Sequence, residues 1–202
     1  RKHAKTRRII LMGPNHFFRG EAQIITDRRS WQTNYGELAP DYEFISLLTA
    51  KNFAEEEENI LNNDHAITAL LPFIEKFFPD VTFVPLLVRE PMSRPDAEAF
   101  GTFLAEKLGP EDLIVASIDF AHYFTKEIAD GHDERSIAAL RKLDVDFFEK
   151  KMEVDSRQIL MALSFYLKQR DHTNFTLLDH TNSAILTGNP FEKSTTSHIL
   201  GF

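Results

Sequence analysis

Four of the eight histidines stand at or near the ends of predicted strands and helices, where side chains can reach a bound ligand. They are His16, His65, His122 and His180. Three aspartates accompany them closely along the chain, namely Asp64, Asp119 and Asp179. Neutral imidazole binds transition metals and transfers protons near neutral pH, and carboxylates bind metal ions or orient imidazole rings. These residue types at these positions predict metal binding, acid–base chemistry or both.

Each histidine taken singly also has a purely structural explanation. A lone histidine near a strand end is more often a hydrogen-bonded loop residue than a ligand. Asp119 and His122 are three residues apart, so a tight turn would point both side chains one way, but Asp119 could equally cap that turn. His65 could cap a helix beside Asp64, and the helix dipole would keep its ring neutral. The other histidines are predicted to be surface or packing residues: His3, His132, His172 and His198.

Short apolar runs alternate with amphipathic segments, which predicts an α/β fold. Strands are predicted over residues 9–12, 22–26, 81–88, 113–118, 175–178 and 197–202, and the short, unbroken apolar run 113–118 is expected to be a central strand. Helices are predicted over residues 40–50, 64–78, 93–108, 131–143, 145–151 and 155–169. No repeat or linker divides the chain, so we expect one domain over residues 1–202, with a mostly parallel or mixed central sheet covered by helices. Because loops converge at the carboxyl ends of strands, His16, His122 and His180 are expected to meet in one crevice.

The composition excludes several classes of protein. The 31 acidic and 23 basic residues give a net charge of −8, which argues against a nucleic-acid-binding surface. No apolar stretch approaches the ~20 residues of a membrane span. The chain has no cysteine, which excludes a disulfide framework and a thiolate metal site within it. Phosphate-loop and Gly-x-Ser-x-Gly motifs are absent, which disfavours nucleotide binding and serine hydrolysis. We expect a cytoplasmic protein that binds neither nucleic acid nor membrane; its oligomeric state stays open.

Several motifs, in order along the chain, resemble the Memo family, also called AmmeMemoRadiSam system protein B. They are Gly-Pro-Asn-His ending at His16, residues 31–41, Asp-His-Ala-Ile beginning at Asp64, residues 84–88, and Ser-Ile-Asp-Phe-Ala-His-Tyr ending at Tyr123. The resemblance runs from about residue 8 to the end of the chain. It implies an α/β fold related to the class III, LigB-type, non-haem iron extradiol dioxygenases.

The resemblance also implies roles for individual residues. His16 matches a metal-ligand histidine of the family, and the implied catalytic residues are His65, Asp119 and His122. Asp119 would orient His122, which would act as the general base. The family's cysteine is absent, and Asp179 or His180 stands at or next to its place as a metal ligand.

The chain begins at Arg1 rather than Met, so we expect that an N-terminal segment is missing. The family has a further histidine ligand before Gly-Pro-Asn-His, and here it would lie upstream of Arg1. The predicted pocket residues are Asn15, Trp31 and Tyr35, although Trp31 could equally be packed in a loop. Imidazole and carboxylate ligands without a thiolate favour Fe(II) or copper over zinc.

Two functions stay open. The first is a transition-metal protein with oxidoreductase activity of the dioxygenase kind. The second is a non-catalytic module that binds a peptide or small molecule in the same strand-end pocket. A metal-dependent hydrolase or lyase is a third and weaker alternative. The sequence does not decide whether the chain is an enzyme, and it does not identify the substrate.

Overall fold

The structure is a computed structural model, and it describes residues 6–189, 191 and 195–201. The chain folds as two compact units. The first comprises Arg1–Met92 and Glu106–Ser117, and the second comprises Ser93–Ala105 and Ile118–Phe202. Strands and helices alternate along the chain, which confirms the predicted α/β class. The expectation of one domain over residues 1–202 stays a prediction.

The first unit is built on a seven-stranded, mostly parallel sheet. Its strands are β1 (Arg8–Pro14), β2 (Ile24–Thr26), β3 (Trp31–Gln32), β4 (Glu37–Pro40), β5 (Glu55–Glu56), β6 (Thr82–Val88) and β7 (Asp112–Ala116). The main strand order is β3-β4-β6-β1-β7, while β2 pairs with β5 and β6. The helices of this unit are α1 (Tyr42–Ala50), a 3-10 turn (Leu61–Asn63), α2 (His65–Thr68) and α3 (Leu71–Phe77).

Strands β1 and β6 form the middle of this sheet because their apolar runs are unbroken. Ile9 to Met12 are completely buried, and β1 pairs in parallel with both β6 and β7. Continuous apolar runs are typical of parallel strands that are covered on both faces. The prediction that residues 113–118 form a central strand is wrong. The corresponding strand, β7, is the last in the described strand order, and Leu113 is partly exposed.

The helix predicted over residues 64–78 is in fact two helices. Asp64 caps the first one, as expected, because its side chain accepts a hydrogen bond from the N–H of Ala66. Helix α2 then ends after about one turn, and α3 begins beside Pro72. Proline disfavours the helical conformation in the residue before it and lacks an N–H group to donate. The helical spacing of the apolar residues continues across this break, so spacing alone does not reveal it.

Gly13, near the end of β1, allows α2 to pack against the strand. A Cβ atom at this position would lie 2.4 Å from the Cβ of Ala66, closer than carbon atoms can approach. We expect Gly13→Ala to lower the free energy of unfolding by about 1–3 kcal/mol, because strand and helix must move apart. Urea unfolding of the variant measures this difference.

Gly109→Ala is the matched control, since the nearest atom to its added Cβ is 3.9 Å away. The control should stay close to the wild type. Equal stabilities for the wild type and Gly13→Ala would show that this contact does not constrain α2.

The second unit contains a three-stranded antiparallel sheet in the order β8-β10-β9. Its strands are β8 (His122–Phe124), β9 (Leu177–Asn182) and β10 (Thr195–Gly201). Its helices are α4 (Arg94–Lys107), α5 (Lys126–Leu140), α6 (Val145–Lys150), α7 (Arg157–Gln169) and α8 (Ser183–Thr187), and the last two residues of α4 fall in the first unit. The end of the predicted strand 197–202, at residue 202, lies outside the described residues. None of the described helices has both the length and the apolar character that crossing a membrane requires.

Candidate functional site

His16, Asp64 and His65 form a cluster at the carboxyl end of β1 in the first unit. One possible metal-ligating atom from each residue lies within 4.8 Å of the other two. Within the part of the chain that the structure describes, this is the one group of three such residues that gathers so closely. The strand carries His16 to this edge of the sheet, and the start of α2 brings the other two residues beside it. The structure therefore brings two of the predicted site residues, His16 and His65, together in one cluster.

Asp64 is the buried centre of this cluster. It is 1% exposed, and its carboxylate accepts hydrogen bonds from the backbone N–H of His16 at 2.9 Å and of Ala66 at 3.0 Å. The Nδ1 atom of His16 lies 2.8 Å from Oδ1 of the same carboxylate. Burial alone would raise the pKa of Asp64, but the bonds from His16 and Ala66 outweigh it and hold that pKa below its usual value. Asp64 is therefore a carboxylate at neutral pH.

The carboxylate of Asp64 fixes the tautomer of His16. Because an ionised carboxylate only accepts hydrogen bonds, Nδ1 of the ring must carry a proton, and in the neutral ring Nε2 then holds the lone pair. The side chain of His16 is 25% exposed, so it is held firmly but is not sealed from solvent. Metal-binding histidines in proteins commonly donate their second ring nitrogen to a carboxylate in this way. The geometry thus prepares Nε2 of His16 to bind a metal ion or a proton.

His65 lies face to face with His16. The two ring centroids are 4.2 Å apart, and the ring planes differ by 21°. The side chain of His65 is 65% exposed, and its Nδ1 lies 4.0 Å from Oδ1 of Asp64. A metal ion lies close to the plane of an imidazole that binds it, so two nearly parallel rings do not point at one ion. His65 would have to rotate to share an ion with His16, and its exposure permits this rotation.

Asn15 shapes the loop that presents His16. The residue is buried, its side-chain amide donates to the carbonyl of Arg19 at 2.6 Å, and its side-chain oxygen accepts the N–H of Arg19 at 3.1 Å. These two bonds close a tight turn in which Phe18 adopts a positive φ of 50°. Both polar groups of the Asn15 side chain are thus engaged within the loop, which supports a positioning role for this predicted pocket residue.

Trp31 and Tyr35, the other predicted pocket residues, have different environments. Trp31 is buried in the core, with its ring edge-on to Phe83 at a centroid distance of 6.5 Å. The structure therefore agrees with the packing interpretation of Trp31. Tyr35 is 56% exposed, and the ammonium group of Lys76 lies 5.3 Å from the centre of its ring. Tyr35 is a surface residue with a cation–π neighbour.

Asp119 and His122 belong to the second unit, and Asp119 does not orient His122 as the resemblance implies. Nδ1 of His122 lies 2.9 Å from the backbone carbonyl of Phe120, which can only accept and therefore fixes the tautomer. The carboxylate of Asp119 instead lies near His198, with Oδ1 at 3.7 Å from Nδ1. The tight turn folds the His122 ring back onto its own peptide, so a carbonyl rather than a carboxylate is its partner.

His122 begins strand β8 next to a local distortion. The pairing of β8 with β10 shifts register between Thr195 and Thr196, and Tyr123 has a positive φ of 64°. A β-bulge of this kind bends a strand and redirects the side chains beside it. The exposed ring of Tyr123 lies against His122, with centroids 4.7 Å apart. Backbone strain of this kind concentrates at functional sites.

Asp179 and His180 lie within strand β9, not in a loop after a strand as predicted. Each pairs with a residue of β10, which extends the strand to Asn182. Adjacent residues in a strand point to opposite faces of the sheet, so the two side chains do not serve one ion together. Nε2 of His180 lies 2.8 Å from Oδ2 of Asp133, a fully buried residue of α5. Sequence inspection missed Asp133, because an aspartate amid the charged residues of a helix gives no signal of burial.

The predicted site residues are thus divided between the units. His16 and His65 belong to the first unit, whereas Asp119, His122, Asp179 and His180 belong to the second. The expectation that they meet in one crevice stays a prediction, as does the further histidine upstream of Arg1.

Known proteins resemble this chain in sequence and in fold. The sequence profile of the family described as Memo-like protein matches residues 1–197. MEMO1 family protein PAE0818 of Pyrobaculum aerophilum is 29% identical over 193 residues, which cover 89% of this chain and 66% of that protein. A MEMO1 family protein of Aquifex aeolicus is 30% identical over 141 residues, which cover 69% of this chain and 52% of that protein. The matched region therefore spans about two thirds of the first relative and about half of the second.

A solved structure shares the fold. The uncharacterized protein JW3007 from Escherichia coli K12 matches with a TM-score of 0.63 and 14% sequence identity, covering 96% of this chain and 86% of that one. An identity this low shows the fold alone. The family profile, by contrast, matches nearly all of the chain, including the turn that carries His16, the cap at Asp64 and the segment from Asp119 to Tyr123. The chain belongs to the Memo-like protein family.

Proposed function

We propose that this protein binds a transition-metal ion through Nε2 of His16. The hydrogen bond between Nδ1 of His16 and the buried carboxylate of Asp64 carries this proposal. The bond fixes the ring orientation and makes the opposite nitrogen more basic, as in metal sites where a carboxylate supports a ligating histidine. Burying the Asp64 carboxylate costs free energy, and the hydrogen bonds that it accepts from His16 and Ala66 offset this cost. The folded structure therefore depends on this arrangement.

The donor set fits a metal of intermediate softness. His16 supplies an imidazole nitrogen, and the carboxylate of Asp64 supports that ring through Nδ1. Imidazole suits Fe(II), copper and zinc, while the lack of cysteine in the chain removes the thiolate that would favour softer ions. We favour Fe(II) or copper. Oxygen ligands alone would favour Mg²⁺ or Ca²⁺ instead.

An oxidoreductase activity of the dioxygenase kind is the finer part of this proposal. When bound, the ion would supply Lewis-acid and redox chemistry. The residues of the chain would supply the proton transfers: His65 is exposed, adjacent to His16 and able to accept a proton from a substrate hydroxyl. The relation to dioxygenases that the motif resemblance implies would support this activity by analogy of fold only.

A non-catalytic binding module is the second candidate, and one observation favours it. Phe17 and Phe18 directly follow His16 and are 53% and 61% exposed. The hydrogen-bonded turn at Asn15 keeps these two apolar rings exposed to water, which is unfavourable in free energy. Exposed apolar side chains of this kind are typical of surfaces that bind another molecule. Under this alternative, replacing both phenylalanines by serine would abolish ligand binding, whereas removing the metal would not affect it.

Metal analysis of the protein purified without chelators or affinity tags tests the main proposal. We expect iron or copper in stoichiometric amount. After stripping with a chelator, titration with Fe(II) under anaerobic conditions, or with Cu(II), should restore binding. Oxygen consumption by the loaded protein, measured with a series of catechols, then tests the finer proposal. A stripped protein that binds none of these ions would overturn the metal proposal, and loaded protein that consumes no oxygen would overturn only the dioxygenase part.

A further inference from the structure

Helix α3 of the first unit presents two phenylalanine rings to solvent. Phe73 and Phe77 are four residues apart, which makes them neighbours on the helix surface, and they are 60% and 65% exposed. Together with the exposed ring of Tyr35 they form an aromatic face. We propose that two copies of this chain form a symmetric dimer through the aromatic face. This interface goes beyond the proposed function, because that function rests on the cluster at His16.

The orientation of α3 is unusual for a helix on the surface of a monomer. Leu71 and Ile74 pack into the hydrophobic core, and Glu75 beside them is also buried, while the two phenylalanines point outward. An amphipathic helix ordinarily places its charged residues in solvent and its apolar residues inside. Exposing the rings and burying the carboxyl group both cost free energy. A second molecule that covers the rings recovers the apolar part of this cost.

Lys76 joins Tyr35 to the helix. Its ammonium group lies 5.3 Å from the centre of the Tyr35 ring and 5.6 Å from the centre of the Phe77 ring. The two rings therefore flank one cation, and each attracts it through its aromatic face. Glu37 follows Tyr35 by two residues, is exposed, and accepts a hydrogen bond from the side chain of Gln32 at 2.7 Å. The aromatic face thus has a cation within it and an anion at its margin.

The turn that carries Tyr35 is held firmly against α3. The N–H of Thr33 donates to the carbonyl of Gly36 at 2.8 Å, and the N–H of Tyr35 donates to the hydroxyl of Thr33 at 3.0 Å. A Cβ atom at Gly36 would lie 2.4 Å from Oε1 of Glu75, so the turn packs directly on this buried carboxyl group. A surface whose backbone is already ordered loses less conformational entropy when it binds.

The area of the aromatic face matches the apolar centre of a dimer interface. Each of its three side chains is more than half exposed, so together they offer about 300 Å² of apolar surface. A stable interface takes about 800 Å² from each partner and consists of an apolar centre with a polar rim. In a symmetric dimer the same surface serves both partners, so each copy covers the rings of the other.

The charges at the aromatic face favour a second copy over other partners. The chain has a net charge of −8, so two copies attract each other electrostatically only where opposite charges meet. In a two-fold interface, Lys76 of each copy faces Glu37 of the other, because every symmetric contact occurs twice. A membrane surface or a nucleic acid is bound by clusters of cations, whereas here the charge of Lys76 is balanced by that of Glu37.

Sedimentation velocity of the full chain over a series of protein concentrations tests the dimer. We expect a wild-type dimer whose fraction rises with concentration. The double variant Phe73→Ser, Phe77→Ser should have a dissociation constant about 100-fold higher or more, because each substitution enters a symmetric interface twice. Phe191→Ser is the matched control, since Phe191 is an exposed phenylalanine of the second unit, and it should dimerise like the wild type.

A charge exchange tests the symmetry of the contact. Lys76→Glu and Glu37→Lys, each made alone, place like charges opposite each other in the dimer and should weaken it by about tenfold or more. The two substitutions combined restore opposite charges and should restore the dimer. A combined variant as weak as the single ones would overturn the pairing of Lys76 with Glu37.

The remaining outcomes separate the dimer from other partners and from the proposed function. A wild type that stays monomeric at every concentration would overturn the dimer, and so would a dimer that persists in Phe73→Ser, Phe77→Ser. A monomeric wild type that binds an amphipathic helical peptide of leucine and lysine, when the double variant does not, would assign the aromatic face to another protein. His16→Ala should dimerise like the wild type, so loss of metal and loss of the dimer are measured independently. Circular dichroism verifies that the variants fold.

Discussion

Replacing His16 with alanine is expected to abolish metal binding at the first-unit cluster. The substitution removes the nitrogen that the fold orients for this purpose, and His65 alone, with a 65% exposed side chain, has no comparable support. The loss should leave the protein folded, because the side chain of His16 is partly exposed and lies at the end of a strand. Binding is measured by competition with a chromophoric chelator, and folding by thermal unfolding of the metal-free protein.

Asp64→Asn separates the orienting effect from the ligand itself. Asparagine is also a good N-cap, so its side-chain oxygen can still accept the N–H of Ala66 and preserve the start of α2. The amide has no charge and only one acceptor oxygen, so the bond to Nδ1 of His16 is weakened or lost. Removing such a supporting partner reduces metal affinity by about 10–100-fold, which is the loss we expect here.

Each of these two variants has a result that would contradict the prediction made for it. Unchanged affinity in Asp64→Asn would mean that the carboxylate serves only as a helix cap. Unchanged affinity in His16→Ala would remove the basis of the metal proposal. His132→Ala is a suitable control at this step, because His132 lies on α5 beside Arg135 in the second unit and does not belong to the proposed metal site.

The elements around His16 were predictable because local patterns determine them. An unbroken apolar run of Ile9 to Met12 predicts a buried strand, and Asp64 before an apolar helical pattern predicts an N-cap. The hydrogen bond between Asp64 and His16 was not predictable, since it joins residues 48 positions apart in the chain. Local patterns place each residue at the end of its own element, but the packing of α2 against β1 decides which ends meet.

In the second unit, by contrast, local sequence patterns did not predict where the residues lie, because pairing between strands decides their position. Residues 179–182 look like a polar loop, yet they continue β9 because β10 supplies their hydrogen-bond partners. His198 likewise gains its neighbour Asp119 through the pairing of β10 with β8. Polar residues in a strand that faces solvent carry no distinctive pattern, so the sequence alone does not separate them from a loop.

A buried ion-pair cluster lies at the amino end of the parallel strands, where β1 and β6 begin. Arg8 is 6% exposed, and its Nε donates to Oδ2 of Asp41 at 2.6 Å while its Nη1 lies 3.2 Å from Asp112. Asp41 also accepts the hydroxyl of Thr82 at 2.8 Å and caps α1 through the N–H of Phe44. These contacts connect three strands with the start of a helix. His16 follows the carboxyl end of β1, so under the proposed function the two ends of the sheet serve stability and metal binding respectively.

Asp41→Ala is expected to lower the free energy of unfolding by about 3–5 kcal/mol, because it leaves a buried guanidinium with a weaker partner and removes a helix cap. The partial compensation from Asp112 places the expected value near the lower limit. Asp41→Asn keeps a capping oxygen and should cost less. Asp146→Ala is the matched control, because Asp146 pairs with Arg94 at an exposed position, where an ion pair contributes at most about 1 kcal/mol.

The pH dependence of this difference identifies its electrostatic part. Burial alone would raise the pKa of Asp41, but the bonds from Phe44, Arg8 and Thr82 outweigh it and lower that pKa. A carboxyl group with a lowered pKa stabilises the folded state above its unfolded value of about 3.9 and loses this contribution as the pH falls through the folded value. Urea unfolding at pH 7, 5, 4 and 3 should therefore show a constant difference between wild type and Asp41→Ala down to about pH 5, and a shrinking one below about pH 4. A difference that stays constant to pH 3 would mean that Asp41 acts through packing and capping rather than through its charge.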